Sequence, residues 1–251
     1  MLYTASSISS SSFLSTDFSR RPPVPARLVD ALARSGLPAR DSSSEAGSPE
    51  SLAALRARLM SLWETLDAAP RLLFLDVEAT GNHNGRIIEL AVCETDPEGA
   101  VRGGMHFRCN PHMRSSRSAR RVHGILDREL EHCREFSFFA AELRDYLAGG
   151  VVVIHDRTND LKWLNAEFVR IDPALPVVEA ICTVVDSLEL ASSLPSERRR
   201  NGLDALVEWY GFERTGLTHD AWSDARLLAQ VFHELWWDLA DWLFAEDARG
   251  E

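Results

Sequence analysis

The sequence predicts an α/β domain with a central mixed sheet flanked by helices. Three observations carry that expectation: successive extended apolar segments between residues 72 and 108, an isolated run VVVI at Val151–Ile154, and helix-periodic segments on both sides of that run. Consecutive strands with short links suit an antiparallel start. A short unbroken run of β-branched residues suits a strand covered on both faces. With 251 residues, 45% hydrophobic and 26% charged, the chain holds one substantial core with appended segments rather than two large domains.

Taken in order, residues 1–47 are rich in Ser, Pro and Gly and are expected to be disordered apart from a short helix at about 25–35. Ser48 and Pro49 read as an N-cap and first helical residue, and Leu52, Leu55, Leu59, Trp63 and Leu66 then recur at helical spacing. Residues 48–70 are therefore expected to form a helix docked on a main domain spanning 71–233. Strands are expected at 72–77, 86–94 and about 101–108, the last two joined by the turn-like DPEGA. A helix around 137–147 leads through Gly149 and Gly150 into VVVI, and further helices follow at about 158–169, 202–210 and 220–245, with a strand near 178–182. The stripe of the last helix continues through Trp236, Leu239 and Leu243, so 234–251 reads as a Trp-rich extension of it.

Charge and cysteine usage narrow the function classes. The 27 basic and 38 acidic residues give a net charge of −11, the wrong sign for a protein that holds nucleic acid by neutralising phosphates over its whole surface. Any such partner must be gripped locally, and Arg114, Arg117, Arg120 and Arg121 form one basic patch and residues 198–200 another. The four cysteines form no CxxC pair, which argues against a zinc knuckle or disulfide framework and for a reducing, cytoplasmic setting. No apolar run reaches the roughly 18 residues that would span a bilayer, so no membrane partner is expected.

The first strand segment, RLLFLDVEATG, is apolar and then carries Asp76 and Glu78 with only Val77 between them. Side chains two apart on a strand share a face, about 6.5 to 7 Å apart along it. Such a pair suits a hard divalent cation, although taken alone this spacing is more often a solvated strand end. Two more acids sharpen the pattern. Asp224 falls on the apolar stripe of the last helix, between Ala221 and Leu228, and Asp160 shares a face with Leu164 and Phe168. An inward carboxylate needs a partner or a metal, because its burial alone costs several kcal/mol. Either acid by itself also fits a frayed first turn that favours the helix dipole. His219 lies five residues before Asp224 and could stand beside a metal held there, though a lone histidine is more often an ordinary surface or core residue.

FLDVEATG, VVVIHDRTNDLKWL and LTHDAWSDARLLAQVF resemble, in order, the three exonuclease motifs of the DEDDh, or DnaQ-like, 3′–5′ exonuclease superfamily. GRIIELAV, VHGI at 122–125, CTVVDSLELA at 182–191 and NGLDALVEWYG at 201–211 are most similar to the proofreading epsilon subunits of bacterial DNA polymerase III. The resemblance covers about 71–233 and implies a ribonuclease H-like fold. It further implies that Asp76, Glu78, Asp160 and Asp224 bind two Mg²⁺ or Mn²⁺ ions, that His219 is the general base, and that nucleoside 5′-monophosphates are released from the 3′ end of DNA. By the same resemblance the backbone at Ala79, Thr80 and Gly81 approaches the terminal nucleotide, and His123, His155 and Arg157 lie on the substrate side. The implied partners are single-stranded DNA or DNA 3′ ends, with RNA as an alternative, and a polymerase subunit. A binding adaptor that does not cut is the non-enzyme alternative.

Two departures stand out. Where relatives read His-Asn-Ala-x-Phe-Asp, this chain reads His155-Asp156-Arg157-Thr158-Asn159-Asp160, which exchanges a neutral amide for a charge and removes an aromatic face. Stacking of a terminal base on such a face is worth roughly 1 to 3 kcal/mol. The sole glutamine, Gln230, falls inside the final helix, so no sliding-clamp peptide is expected.

Overall fold

The computed structural model describes residues 50–81, 84–96, 99–214 and 219–244. The disordered region and short helix expected before residue 48 lie outside the described residues, as does the end of the extension after 244. The elements are α1 (Leu52–Asp67), β1 (Leu72–Ala79), β2 (Ile87–Thr95), β3 (Val101–Arg108), α2 (Arg117–His123), α3 (Asp127–Leu130), α4 (Phe136–Leu147), β4 (Val151–Ile154), α5 (Arg157–Ile171), a 3₁₀ turn (Val178–Ala180), β5 (Thr183–Asp186), α6 (Ser187–Ser193), α7 (Leu203–Trp209) and α8 (Ala221–Phe244).

The strands form one mixed sheet in the order β3-β2-β1-β4-β5. Strands β1, β2 and β3 are antiparallel neighbours, whereas β4 lies parallel to β1 and β5 parallel to β4. VVVI occupies a central position and is buried along its whole length, which is why its sequence does not alternate. The two-residue period of β1 sorts its side chains into two cores. Leu72 and Phe74 pack with α8, Phe232 and Leu228 among the contacts, while Leu73 and Leu75 pack with Phe136, Leu164 and Phe168 of α4 and α5. Asp76 and Glu78 continue the Leu72–Phe74 face, so the acids are aimed at the layer that α8 supplies.

Helix α1 lies on α8. The Trp63 ring stands edge-on to Trp236 and to Phe244, with centroids 5.6 Å away in each case, and Leu59 and Leu66 are buried beneath it. Its N-cap is Ser51, whose hydroxyl accepts from Ala54 N at 3.2 Å, rather than Ser48, because the helix begins only at Leu52.

Several elements differ from the sequence expectation. Strand β1 runs through Ala79, so both acids sit within paired strand, with a register shift between Glu78 and Ala79. The strand expected near 178–182 is instead a 3₁₀ turn followed by β5 at Thr183–Asp186, since Val178 N donates to Asn165 Oδ1 and the pairing with β4 starts at Thr183. Helices α2, α3 and α6 were not foreseen, being four to seven residues long and too short to show periodicity.

Candidate active site

The site forms where β1 meets the first turn of α8. One ligand oxygen from each of Asp76, Glu78 and Asp224 lies within 4.8 Å of the others. Glu78 is only 9% exposed and Asp224 only 3%. Asp220 starts α8 by accepting from Ser223 N at 2.9 Å, and this turn directs Asp224 inward. The helix start is anchored from the sheet by Glu89, which faces Glu78 across the β1–β2 ladder and whose Oε2 accepts from Ala221 N at 3.2 Å. Burial opposes ionisation of Glu89, but hydrogen bonds with His106 and Arg108, at 3.1 and 2.8 Å, bring its pKa down to about 2.

The acids of the cluster behave in the opposite way. Burial raises the Glu78 pKa to about 8, with further contributions from the charges of Asp224, Glu89 and Asp160. Burial likewise holds Asp76 well above the carboxylate range, followed by the charge of Glu78. Asp160, in the first turn of α5, lies outside the 4.8 Å group, yet its pKa is raised by burial and then by Asp76. The structure thus gathers three of the four expected acids tightly and sets the fourth close enough to be felt electrostatically.

Among the described residues, two basic side chains touch Asp224. His219 Nδ1 lies 2.7 Å from Asp224 Oδ2, and that hydrogen bond raises the histidine pKa against the opposing effect of burial. The Arg214 guanidinium bonds Asp224 Oδ1 and reaches the other way to Asp204 Oδ1, with Nε at 3.0 Å and a terminal nitrogen at 2.7 Å. The backbone of His219 is held by Val122, whose carbonyl accepts from His219 N at 3.1 Å. The donor set of the cluster is carboxylate oxygen throughout, with no thiolate. It fits a hard divalent cation such as Mg²⁺ or Mn²⁺, for which Asp76, Glu78 and Asp224 could serve as ligands.

The remaining sequence-selected residues are placed as follows. Ala79 and Thr80 are buried, and Thr80 ties loops together: its N donates to Arg86 O at 2.9 Å, its hydroxyl accepts from Arg86 N at 3.0 Å, and its carbonyl accepts from Ser116 N at 2.8 Å. Gly81 follows at φ 154°, where an added Cβ would come within 3.2 Å of Ser116 Oγ. His123 is 3% exposed, and its Nδ1 accepts from Ile125 N at 3.0 Å, which places the proton on an Nε2 that has no partner. His155 Nδ1 lies 2.9 Å from Ser187 Oγ, whose own hydroxyl donates to Ile154 O, so Nδ1 is the donor. Burial lowers the His155 pKa and favours the neutral ring. Arg157 is exposed at the start of α5, its backbone N donating to Asp186 Oδ2 at 3.2 Å.

Asp156 and Asn159 are both exposed. Asp156 adopts the left-handed conformation, φ 57°, one that Asp and Asn tolerate better than other non-glycine residues, so the exchange of amide for carboxylate preserves the turn. Sequence reading missed Arg214, Glu89 and Asp186. Glu89 was visible in principle as a lone charge inside the apolar run RIIELAV, the same anomaly that marked Asp76. Arg214 lies between elements and carries no periodic signal.

An exonuclease family model, RNase_T, matches residues 73–232. The chain belongs to this exonuclease family. Its relatives include the DNA polymerase III subunit epsilon of Escherichia coli K12, 32% identical over 66% of this chain and 71% of that protein. The corresponding subunit of Pasteurella multocida is 31% identical over 64% of this chain and 66% of its own length. Among solved structures, zinc-bound E. coli ExoI in complex with single-stranded DNA aligns with a TM-score of 0.60 at 21% identity, covering 70% of this chain but only 43% of that one. The nuclease domain of 3′hExo, a DEDDh family member bound to rAMP, aligns with a TM-score of 0.56 at 15% identity over 68% of this chain and 94% of that domain. These neighbours confirm the ribonuclease H-like fold of this exonuclease domain, and the expected kinship with DEDDh exonucleases and epsilon subunits is borne out. Among the described residues no helix is long and apolar enough to cross a membrane.

Proposed function

We propose that the chain is a metal-dependent 3′–5′ exonuclease that hydrolyses the terminal phosphodiester bond of DNA and releases nucleoside 5′-monophosphates. The observation that carries this reading is the convergence of Asp76, Glu78 and Asp224 oxygens within 4.8 Å, with His219 Nδ1 at 2.7 Å from Asp224. Asp160 completes the acidic set from α5. Two divalent cations held by these carboxylates would supply charge neutralisation for the phosphoryl group and lower the pKa of a water beside it.

The chain's own residues account for the proton. With Nδ1–H directed at Asp224 Oδ2, His219 keeps its lone pair on Nε2, the atom that takes the proton from the attacking water. Asp224 orients the ring and stabilises the imidazolium that results. Val122 O holds the histidine backbone in place beside Asp224. An adaptor that does not cut would have no reason to keep carboxylates whose burial and mutual repulsion raise their pKa values so far.

DNA is the preferred substrate because the relatives at 31 to 32% identity are epsilon subunits, and by the same token a polymerase subunit is the proposed protein partner. RNA is the second reading, favoured by the exposed Asp156 and Asn159, which leave no aromatic face there for a terminal base. The deciding experiment incubates the protein with 5′-labelled DNA and RNA of one sequence, in Mg²⁺ and in EDTA. Stepwise shortening of DNA in Mg²⁺ alone supports the proposal, RNA-only shortening supports the second reading, and no cleavage of either contradicts both.

A further inference from the structure

In a chain with an excess of acids, many exposed arginines find a carboxylate, as Arg58, Arg102 and Arg170 do within 3.3 Å. Residues 114–121 gather three that do not. Arg114, Arg117 and Arg121 are exposed, and none forms an ion pair among the described residues, although the neighbouring Arg120 reaches Asp127 at 3.8 Å. Arg117 and Arg121 sit one helical turn apart on α2, an i,i+4 pair of like charges that weakens so short a helix. Their only contact with each other runs from Arg121 Nε to the Arg117 carbonyl, at 3.3 Å.

Helix α2 is also wired into the catalytic frame at both ends. At its start Ser116 N donates to Thr80 O at 2.8 Å, two residues beyond Glu78. At its end Val122 O accepts from His219 N at 3.1 Å. The positive patch therefore bridges the strand that carries Asp76 and Glu78 and the loop that carries the histidine. A helix of seven residues spans about 10 Å, so the arginines stay close to both anchor points.

We infer that α2 and the turn before it are the backbone grip of this enzyme: Arg114, Arg117 and Arg121 hold the phosphodiester backbone of a single strand whose 3′ end enters the acidic cluster. The inference rests on the exonuclease reading for the identity of the ligand. It resolves how a protein of charge −11 binds a polyanion, by placing three exposed arginines without ion pairs on the segment that touches both halves of the site. Recognition through phosphates is independent of the sugar, so DNA and RNA strands share it.

The test is the salt dependence of binding of fluorescein-labelled dT20 and U20 to the full chain in EDTA, where no cleavage interferes. Each phosphate contact to a single strand contributes about 0.7 to the slope of log K against log salt. Arg114→Gln, Arg117→Gln and Arg121→Gln together should lower the magnitude of that slope by about 2, so that between 50 and 200 mM salt the wild type loses about 18-fold more affinity than the variant. The control Arg58→Gln/Arg102→Gln, which removes exposed arginines elsewhere, should leave the slope unchanged. An unaltered slope in the triple variant, an equal fall in the control, or a loss confined to one of the two oligomers would overturn the inference. Failure to cleave in Mg²⁺ while this binding persists would count against the exonuclease reading and not against the grip.

Discussion

Replacing Glu78 with Gln should stabilise the metal-free protein at neutral pH while impairing its response to Mg²⁺. The Glu78 pKa stands at about 8 in the fold, against 4.5 for the ordinary side chain. Below pH 4.5 the carboxyl is protonated in both the folded and unfolded states and contributes nothing to the difference. Between 4.5 and 8 the unfolded chain releases the proton and the folded chain keeps it, so stability falls as pH rises through that window. At pH 7 this amounts to roughly 3 kcal/mol as an upper figure, since each pKa unit corresponds to about 1.4 kcal/mol. For a domain of this size that is a rise in Tm of about 5 to 10 °C for Glu78→Gln at pH 7 in EDTA, shrinking toward zero at pH 4.5. Thermal unfolding followed by circular dichroism at the two pH values reads it directly. Added Mg²⁺ should raise the Tm of the wild type and close the gap. A variant that is less stable than wild type at pH 7, or a gap of equal size at both pH values, would refute the reasoning and make Glu78 a structural acid.

Further expectations concern the residues around the cluster. His219→Ala should slow hydrolysis by about 10² to 10⁴, the usual share of a general base, while binding of labelled strand in EDTA stays unchanged; equal loss of both would make the histidine structural. Arg214→Gln should raise Mg²⁺ affinity severalfold in titration calorimetry, because the guanidinium shares Asp224 Oδ1 with an incoming cation and repels it. A lower affinity would show instead that Arg214 serves mainly to keep the acids ionised, as its charge does for Asp76 against burial and the neighbouring carboxylates. Buried His233, whose pKa burial lowers to about 4, should cost stability on acidification. Its unfolded form takes up a proton from pH 6.5 downward and its folded form only near 4, so about 3 kcal/mol is lost across that window. Denaturant unfolding of His233→Phe should show a pH dependence weaker by that amount.

Much of this architecture was legible in the sequence, for physical reasons that differ by element. VVVI declared a central strand because four adjacent apolar β-branched residues must be covered on both faces. Asp76, Glu78 and Asp224 were legible because a charge on an apolar stripe is costly without a purpose, and the structure does converge them. Glu89 gave the same signal, yet its partners His106 and Arg108 come from a neighbouring strand whose register only the folded sheet reveals. The helix α2 stayed hidden because its seven residues show no period, and its arginines gain meaning only from the hydrogen bonds to Thr80 and His219 at its two ends. The role of the Thr80 side chain carried no sequence signal: it is buried and bonded to Arg86 N. That contact joins residues six apart across a loop, which pattern alone does not specify.

The central claim, that the acids at the β1–α8 junction cut nucleic acid from the 3′ end with divalent metal, is tested most directly by product analysis on a 5′-labelled DNA strand in Mg²⁺ with the wild type, Asp76→Ala and Asp224→Ala. The account predicts a ladder shortening one nucleotide at a time, release of nucleoside 5′-monophosphates, and a rate lower by several orders of magnitude in either variant whose circular dichroism remains that of the folded wild type. Near-normal shortening by a folded Asp76→Ala or Asp224→Ala protein, or release of the label as a mononucleotide at the earliest times, would contradict it.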